Sequence, residues 1–344
     1  YLQRYPASEE KTRVTRRVAD LLLERAADAR AMIPSSPRII LAAQNDYTAA
    51  IELYQRLLAG QPGRQEDTQL RYQLARAYEE SGQAARATQE LQDLVQRDGV
   101  GEDPRLYADA QFRRGELLFA EGAFQAAEQA YRAVLQLGES VPVYRQARYK
   151  LAWTLFKMAR YDQALAVFFT VVDSSIPADA EPNSHLAGLS RADQEQLNDV
   201  FRGISLCFSH LGGADAVDAY FQRQGNRRYQ SRVYRDLAAL YVDKEFFSDA
   251  AETYLALARR GPLDPASARL YIEVIALYRR AGLSRQMRQV EAALGVTYMT
   301  ALRYMNQLRR DGIVREITGQ ARNRIYQADE VLAAIEAPLD AGDP

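Results

Sequence analysis

The chain has 344 residues, about two domains at roughly 150 residues each, and sets 44 Lys and Arg against 45 Asp and Glu for a net charge of -1. That balance excludes a uniformly basic nucleic-acid-binding surface, though not a local basic module. Apolar residues make up 47% and charged residues 26%, as in a globular protein. The single cysteine, Cys207, excludes an intrachain disulfide and a Cys-based zinc site.

In chain order, Tyr1 to Ser8 reads as the end of a helical repeat, and Pro34 and Pro37 interrupt the helix that follows. Residues 1–44 are therefore expected to be an irregular, truncated helical segment of something longer. From residue 45 a pattern recurs: a small residue, a large one four later and an aliphatic three after that. Its instances are Ala50/Tyr54/Leu57, Ala87/Leu91/Leu94, Ala127/Tyr131/Val134, Ala164/Phe168/Val171, Ala216/Tyr220 and Ala250/Tyr254/Leu257. The alanines lie 37, 40, 37, 52 and 34 residues apart, periods that mark stacked helical hairpins. An alanine lets two helices approach closely, and the large residue one turn on fills the gap beside it. Gly82, Gly122 and Gly282 suit the turns that end first helices. The 52-residue step holds a Pro-, Ser-, Asp- and Gly-containing stretch at about 173–191, expected to be a loop.

Glu121-Gly-Ala-Phe-Gln-Ala-Ala-Glu-Gln-Ala-Tyr131 and Met158-Ala-Arg-Tyr-Asp-Gln-Ala-Leu-Ala-Val-Phe168 carry the pattern best. Over about 45–282 the chain resembles the tetratricopeptide repeat (TPR) family. That resemblance implies an α-α superhelix whose concave surface, lined by first helices, holds a partner protein or peptide. Its register implies a groove lined by Tyr72, Arg76, Phe112, Phe119, Tyr149, Trp153 and Phe156, with Arg232 and Arg235 further on. Aromatics flanked by arginines suit an extended peptide with apolar anchors and an acidic group. The alternative is that these aromatics pack between neighbouring repeats.

After Gly282 the pattern breaks. Leu283–Leu294 reads as a helix, Gly295-Val296 as a turn, and Thr297 or Tyr298 to Arg310 as a second helix. Strands are expected at Ile313–Thr318 and Arg324–Gln327, and a last helix from Glu330 to Ala337 before an acidic tail at 337–344. Leu294-Gly-Val-Thr-Tyr-Met-Thr-Ala-Leu-Arg-Tyr-Met-Asn-Gln-Leu308, Asp311-Gly-Ile-Val-Arg-Glu-Ile-Thr-Gly319 and Arg322-Asn-Arg-Ile-Tyr326 resemble the winged helix at the C-terminus of Fic-family proteins. The catalytic His-Pro-Phe motif of that family is missing, since neither His185 nor His210 is followed by Pro-Phe. The expected fold is thus mostly α: a TPR-like superhelix followed by a small winged helix over 283–336, joined naturally or artificially near 283–291.

Between Leu283 and Gln327 eight arginines face three acids, a local +5, while the tail from Ala328 carries five acids. Tyr298, Thr300, Arg303, Gln307 and Arg310 on the second helix, with Arg322 and Arg324 at the ribbon, are candidate contacts to double-stranded DNA. The alternative for this module is protein contact or dimerisation. No Gly-rich phosphate loop or Gly-x-Ser-x-Gly occurs and the two histidines lack ligand-spaced neighbours, so no catalytic residue, metal or cofactor is expected. The longest apolar runs fall short of the roughly 18 residues of a membrane span. The functional expectation is a non-enzymatic scaffold that binds a protein partner, with DNA binding at its C-terminal end. The competing expectation is a structural envelope protein, because Tyr5-Pro-Ala-Ser8 resembles repeat endings of exported TPR proteins. A DNA-binding wing favours the cytoplasm; an envelope scaffold favours the periplasm.

Overall fold

The computed structural model describes residues 9–32, 37–60, 62–98, 103–176, 188–261, 265–294, 309–310, 315–317 and 326–327. Among them are fourteen helices: α1 (Glu9–Met32), α2 (Pro37–Ala59), α3 (Arg64–Glu80), α4 (Ala84–Asp98), α5 (Pro104–Ala120), α6 (Phe124–Gln136), α7 (Tyr144–Lys157), α8 (Tyr161–Ser175), α9 (Arg191–Leu211), α10 (Ala214–Gln224), α11 (Gln230–Asp243), α12 (Phe247–Arg260), α13 (Pro265–Arg280) and α14 (Ser284–Leu294). Helices adjacent in sequence pack on one another from α1 to α8 and from α10 to α14, giving a TPR-like solenoid of helical hairpins. No described helix is long and apolar enough to cross a membrane.

The prolines fall at helix ends. Pro37 is the first residue of α2, and Pro104 opens α5 behind Asp103, whose carboxylate accepts from the backbone N–H groups of Arg105 and Leu106 at 3.0 and 3.1 Å. The first hairpin is accordingly built from two long helices. Tyr47 lies in the middle of α2, ten residues after its start.

Five hairpin turns share one geometry. Gly82, Gly122 and Gly282 have φ of 82°, 80° and 72°, and the residue after each donates to the carbonyl five residues back. Those bonds are Gln83 to Tyr78, Ala123 to Leu118 and Leu283 to Tyr278, each 2.8 Å. The turns α7–α8 and α11–α12 use the same bond with Ala159 (φ 56°) and Glu245 (φ 62°) in the glycine's place. Because α14 returns along α13 through such a turn, residues 284–294 continue the hairpin series beyond the point where the sequence pattern fades.

Two glycines let helices touch. A Cβ on Gly115 would lie 2.6 Å from Tyr131 Cε1, and one on Gly203 would lie 2.5 Å from Phe168 Cζ. The ring four residues after the repeat alanine therefore seats directly on a neighbouring helix backbone.

The chain divides into two compact units, one of residues 1–180 and 186–207, the other of 181–185 and 208–344. In the first, Ala50, Ala87, Ala127 and Ala164 are fully buried, with Tyr54, Tyr131 and Phe168 beside them. In the second, Ala250, Ala251, Leu237, Ala238, Val274 and Tyr278 form the core of α11–α13. The boundary falls inside α9, so what the sequence suggests is one array up to residue 282 is two packing units.

At the C-terminal end, Arg315–Glu316 and Tyr326–Gln327 pair antiparallel, Arg315 opposite Gln327 and Glu316 opposite Tyr326. Two residue pairs do not constitute the expected wing. Most of the second helix and of the strands, and the last helix, of the expected winged helix lie outside the described residues.

Candidate functional site

Seven of the nine expected groove residues lie on α3, α5 and α7, the first helices of three successive hairpins in the first unit. Tyr72 is buried, while Arg76, Phe112, Phe119, Tyr149, Trp153 and Phe156 are half-buried. Arg232 and Arg235 lie on α11 in the other unit, where Arg232 Nε donates to Asp236 at 3.2 Å and Arg235 is exposed.

Each aromatic is gripped on one edge. Phe112 meets Tyr131 at 6.0 Å between centroids, Phe119 meets Phe124 at 5.4 Å, and Phe156 meets Tyr161 at 5.5 Å. Trp153 stands edge-on to both Phe156 at 5.6 Å and Phe168 at 5.3 Å. These rings pack against neighbouring helices and are half-buried, and the Trp153 Nε1 is buried without a hydrogen-bond partner among the described residues. Such edge-to-face contacts fix ring orientation.

Polar groups tie the face together. Tyr72 donates its hydroxyl to Asp109, and Arg113 donates to Tyr72 at 2.9 Å and to Glu79 at 3.0 Å, bridging α3 and α5. Burial works against the charge on Arg113, yet Glu79 and Asp109 outweigh it and its pKa is raised. Glu116 accepts from Tyr131 and from Lys150, both at 2.5 Å, joining α5, α6 and α7. The Tyr149 hydroxyl donates to Asp199 on α9 at 2.5 Å; burial and that carboxylate push its pKa up to about 12. Sequence reasoning missed this network, although Asp109 and Arg113, one helical turn apart, are a visible i,i+4 pair.

A register links the open face to the interior. The residue six before the turn residue is Arg76, Glu116 or Trp153, and on α1 the residue that meets the large residue of its own hairpin in the same way is Asp20. Each faces the residue four after the alanine of its own hairpin: Asp20 accepts from Tyr54 at 2.7 Å, Glu116 accepts from Tyr131, and Trp153 packs on Phe168. The second hairpin departs from this. Its interior residue is Leu91, which offers no acceptor, and Arg76 Nε is buried without a hydrogen-bond partner, while its Nη1 reaches Gln73 at 3.2 Å.

Arg114 on α5 is a second guanidinium with an orphaned Nε. It reaches Gln111 at 3.0 Å, no carboxylate among the described residues pairs with it, and burial lowers its pKa.

The second unit holds a cavity of about 640 Å³ edged by Asp215, Asp249, Glu252, Arg259 and Tyr278. Burial, with Asp249 and Asp215 nearby, raises the pKa of Glu252. Among the described residues no group of His, Cys, Asp and Glu is placed to hold a metal ion. Cys207 is buried, and burial pushes its pKa up to about 12, which leaves it a protonated, unreactive thiol. Of the expected DNA contacts, Arg310 is described and exposed; Tyr298, Thr300, Arg303, Gln307, Arg322 and Arg324 lie outside the described residues.

Residues 41–116 and 118–174 match the tetratricopeptide repeat model. No curated protein matches the chain. Among solved structures the chain is similar to the MamA protein, at 16% identity over 71% of this chain and 92% of that one, with a TM-score of 0.35. It is also similar to the apo form of RapI, at 12% identity over 90% and 88%, with a TM-score of 0.41. A third is the C-terminal part of a TPR repeat-containing protein from Cytophaga hutchinsonii, at 15% identity over 74% and 98%, with a TM-score of 0.35. The hairpin geometry and the matched stretches together identify residues 41–116 and 118–174 as tetratricopeptide repeats.

Proposed function

We propose that the chain is a scaffold without catalytic activity of its own that holds a protein partner against the face formed by α3, α5 and α7. The observation that supports this most directly is the row of half-open aromatics, Phe112, Phe119, Tyr149, Trp153 and Phe156, each anchored on one edge by a ring or carboxylate behind it. Rings held rigidly lose little entropy on binding and present flat apolar area, the property of interface anchors. Arg76, with donor capacity left over, suits an acidic group on the partner. TPR folds in general serve protein–protein interaction.

Trp153 is the chain's single tryptophan, so its emission reports on this face alone. Peptides selected on the full chain should shift that emission on binding and bind less well to Phe156→Ser and Arg76→Ala. Selected peptides that bind without shifting Trp153 emission, and equally well to both variants, would show that recognition lies elsewhere. Trp153→Ala is a poor probe, because removing the indole also exposes Phe168.

The local +5 charge over 283–327 supports a second reading for the C-terminal end, contact with double-stranded DNA through Arg303, Arg310, Arg322 and Arg324. Fluorescence anisotropy with duplex DNA at low salt tests it. Binding that weakens on Arg303→Ala and with rising salt is the expected result; no binding at low salt would leave protein contact as this segment's role.

A further inference from the structure

The first hairpin exposes a stripe whose counterpart is buried on α3, α7 and α13 and at least half-buried on α5, where it is Ala110, Arg114 and Leu117. On α3, Leu70, Leu74 and Ala77 are 0–1% exposed and belong to one cluster with Ala43, Tyr47, Ala50, Ile51 and Tyr54 of α2. The same register on α7 is Ala147, Leu151 and Thr154, and on α13 it is Leu270, Val274 and Leu277, all buried. On α11 it begins with Val233 and Leu237, again buried. Counting the same 56 residues back from all three α3 positions gives Val14, Val18 and Leu21 on α1, and these are 37%, 40% and 46% exposed. Asp20 keeps the register on the other side of the helix, where it accepts from Tyr54 as Glu116 does from Tyr131. The stripe is therefore an inter-hairpin contact surface whose partner is not among the described residues, not a scatter of surface apolar residues.

We infer that Val14, Val18 and Leu21 form a docking surface for one more helical hairpin of this same kind, contributed from outside these 344 residues. It would present the small-plus-aromatic face that α2 turns to α3. Continuity with the existing hairpin contacts specifies this occupant: an α2-type face already covers the equivalent stripe on α3. A second copy of the chain does not supply it, because its own α2 face is occupied by its α3.

The test uses Leu21→Cys in the full chain, where the other thiol, Cys207, is buried. A duplicate of residues 9–63 placed directly before Ser8 repeats the spacing by which α2 leads into α3, and so offers α1 the proposed occupant. Maleimide should label the introduced thiol at the rate of an open one in the monomeric, unextended chain, and at least tenfold more slowly in the extended one. Val18→Asp should leave the unfolding midpoint of the unextended chain unchanged and abolish the protection in the extended chain. Equal labelling of the two forms would overturn the proposal. So would slow labelling in the unextended monomer, which would mean that the chain's own residues cover α1. Protection that grows with protein concentration would also overturn it, by assigning the surface to a second copy.

Discussion

At the scale of single residues, the chain's departures from its own pattern are informative. Arg114 occupies the register filled by Leu74 and Leu151, and its charge has no carboxylate to offset the burial. An unpaired, partly buried guanidinium is a net cost. Arg114→Leu should therefore raise stability by about 1 kcal/mol, read as a higher urea midpoint; a lower midpoint would show that the bond to Gln111 outweighs desolvation. The phenols give a pH dependence with a defined sign. Burial and then the carboxylates of Asp20, Glu116 and Asp218 raise the pKa of Tyr54, Tyr131 and Tyr234, and Tyr149 is pushed up to about 12. Folding is thus favoured by protonated phenols. That stability is complete below the ordinary phenol value near 10 and is lost as pH climbs through the raised folded values. Helicity followed by circular dichroism should fall above about pH 10, and less steeply in the double variant Tyr54→Phe, Tyr131→Phe. An unchanged slope would locate the alkaline sensitivity elsewhere.

At the scale of helices and turns, one backbone geometry serves five hairpins while the sequence marks three of them. Gly82, Gly122 and Gly282 were legible because glycine tolerates positive φ; Ala159 and Glu245 adopt the same conformation against their preference. Ala159→Gly and Glu245→Gly should each stabilise the chain by about 1 kcal/mol, measured by urea unfolding. At helix crossings the sign reverses. Gly115→Ala places a methyl 2.6 Å from the Tyr131 ring and should cost about 1–3 kcal/mol. A cost near zero would mean that the ring can withdraw. The pairing of a buried alanine with a ring four residues on is legible in sequence at Ala50/Tyr54, Ala127/Tyr131 and Ala164/Phe168, whereas in α10 the buried pair is Val217 and Phe221, one position past Ala216 and Tyr220. The Tyr72–Asp109–Arg113–Glu79 network was not legible, since it depends on which side chains two non-consecutive helices bring together. Pro37 begins α2 at the first helical position, where its missing N–H costs nothing.

At the scale of the whole chain, most contacts among the described helices are with the next helix or the next hairpin, so perturbations should be local. Hydrogen exchange of Gly115→Ala should quicken in α3 to α7 and leave α11 to α13 as they were; uniform acceleration would indicate that the two units unfold as one. The division of the array within α9 was not visible in sequence, because helical periodicity passes through it without a break. The pairing between the open face and the interior has an evolutionary corollary. Because Asp20, Glu116 and Trp153 each lean on a matching Tyr54, Tyr131 or Phe168, a new ligand preference cannot be acquired by changing the exposed member alone. A carboxylate set against phenylalanine loses its donor, and an indole set against tyrosine strands a hydroxyl. Diversification of this face should then proceed by coupled substitutions about 15 to 34 positions apart in the chain, the separations of Glu116 from Tyr131 and of Asp20 from Tyr54.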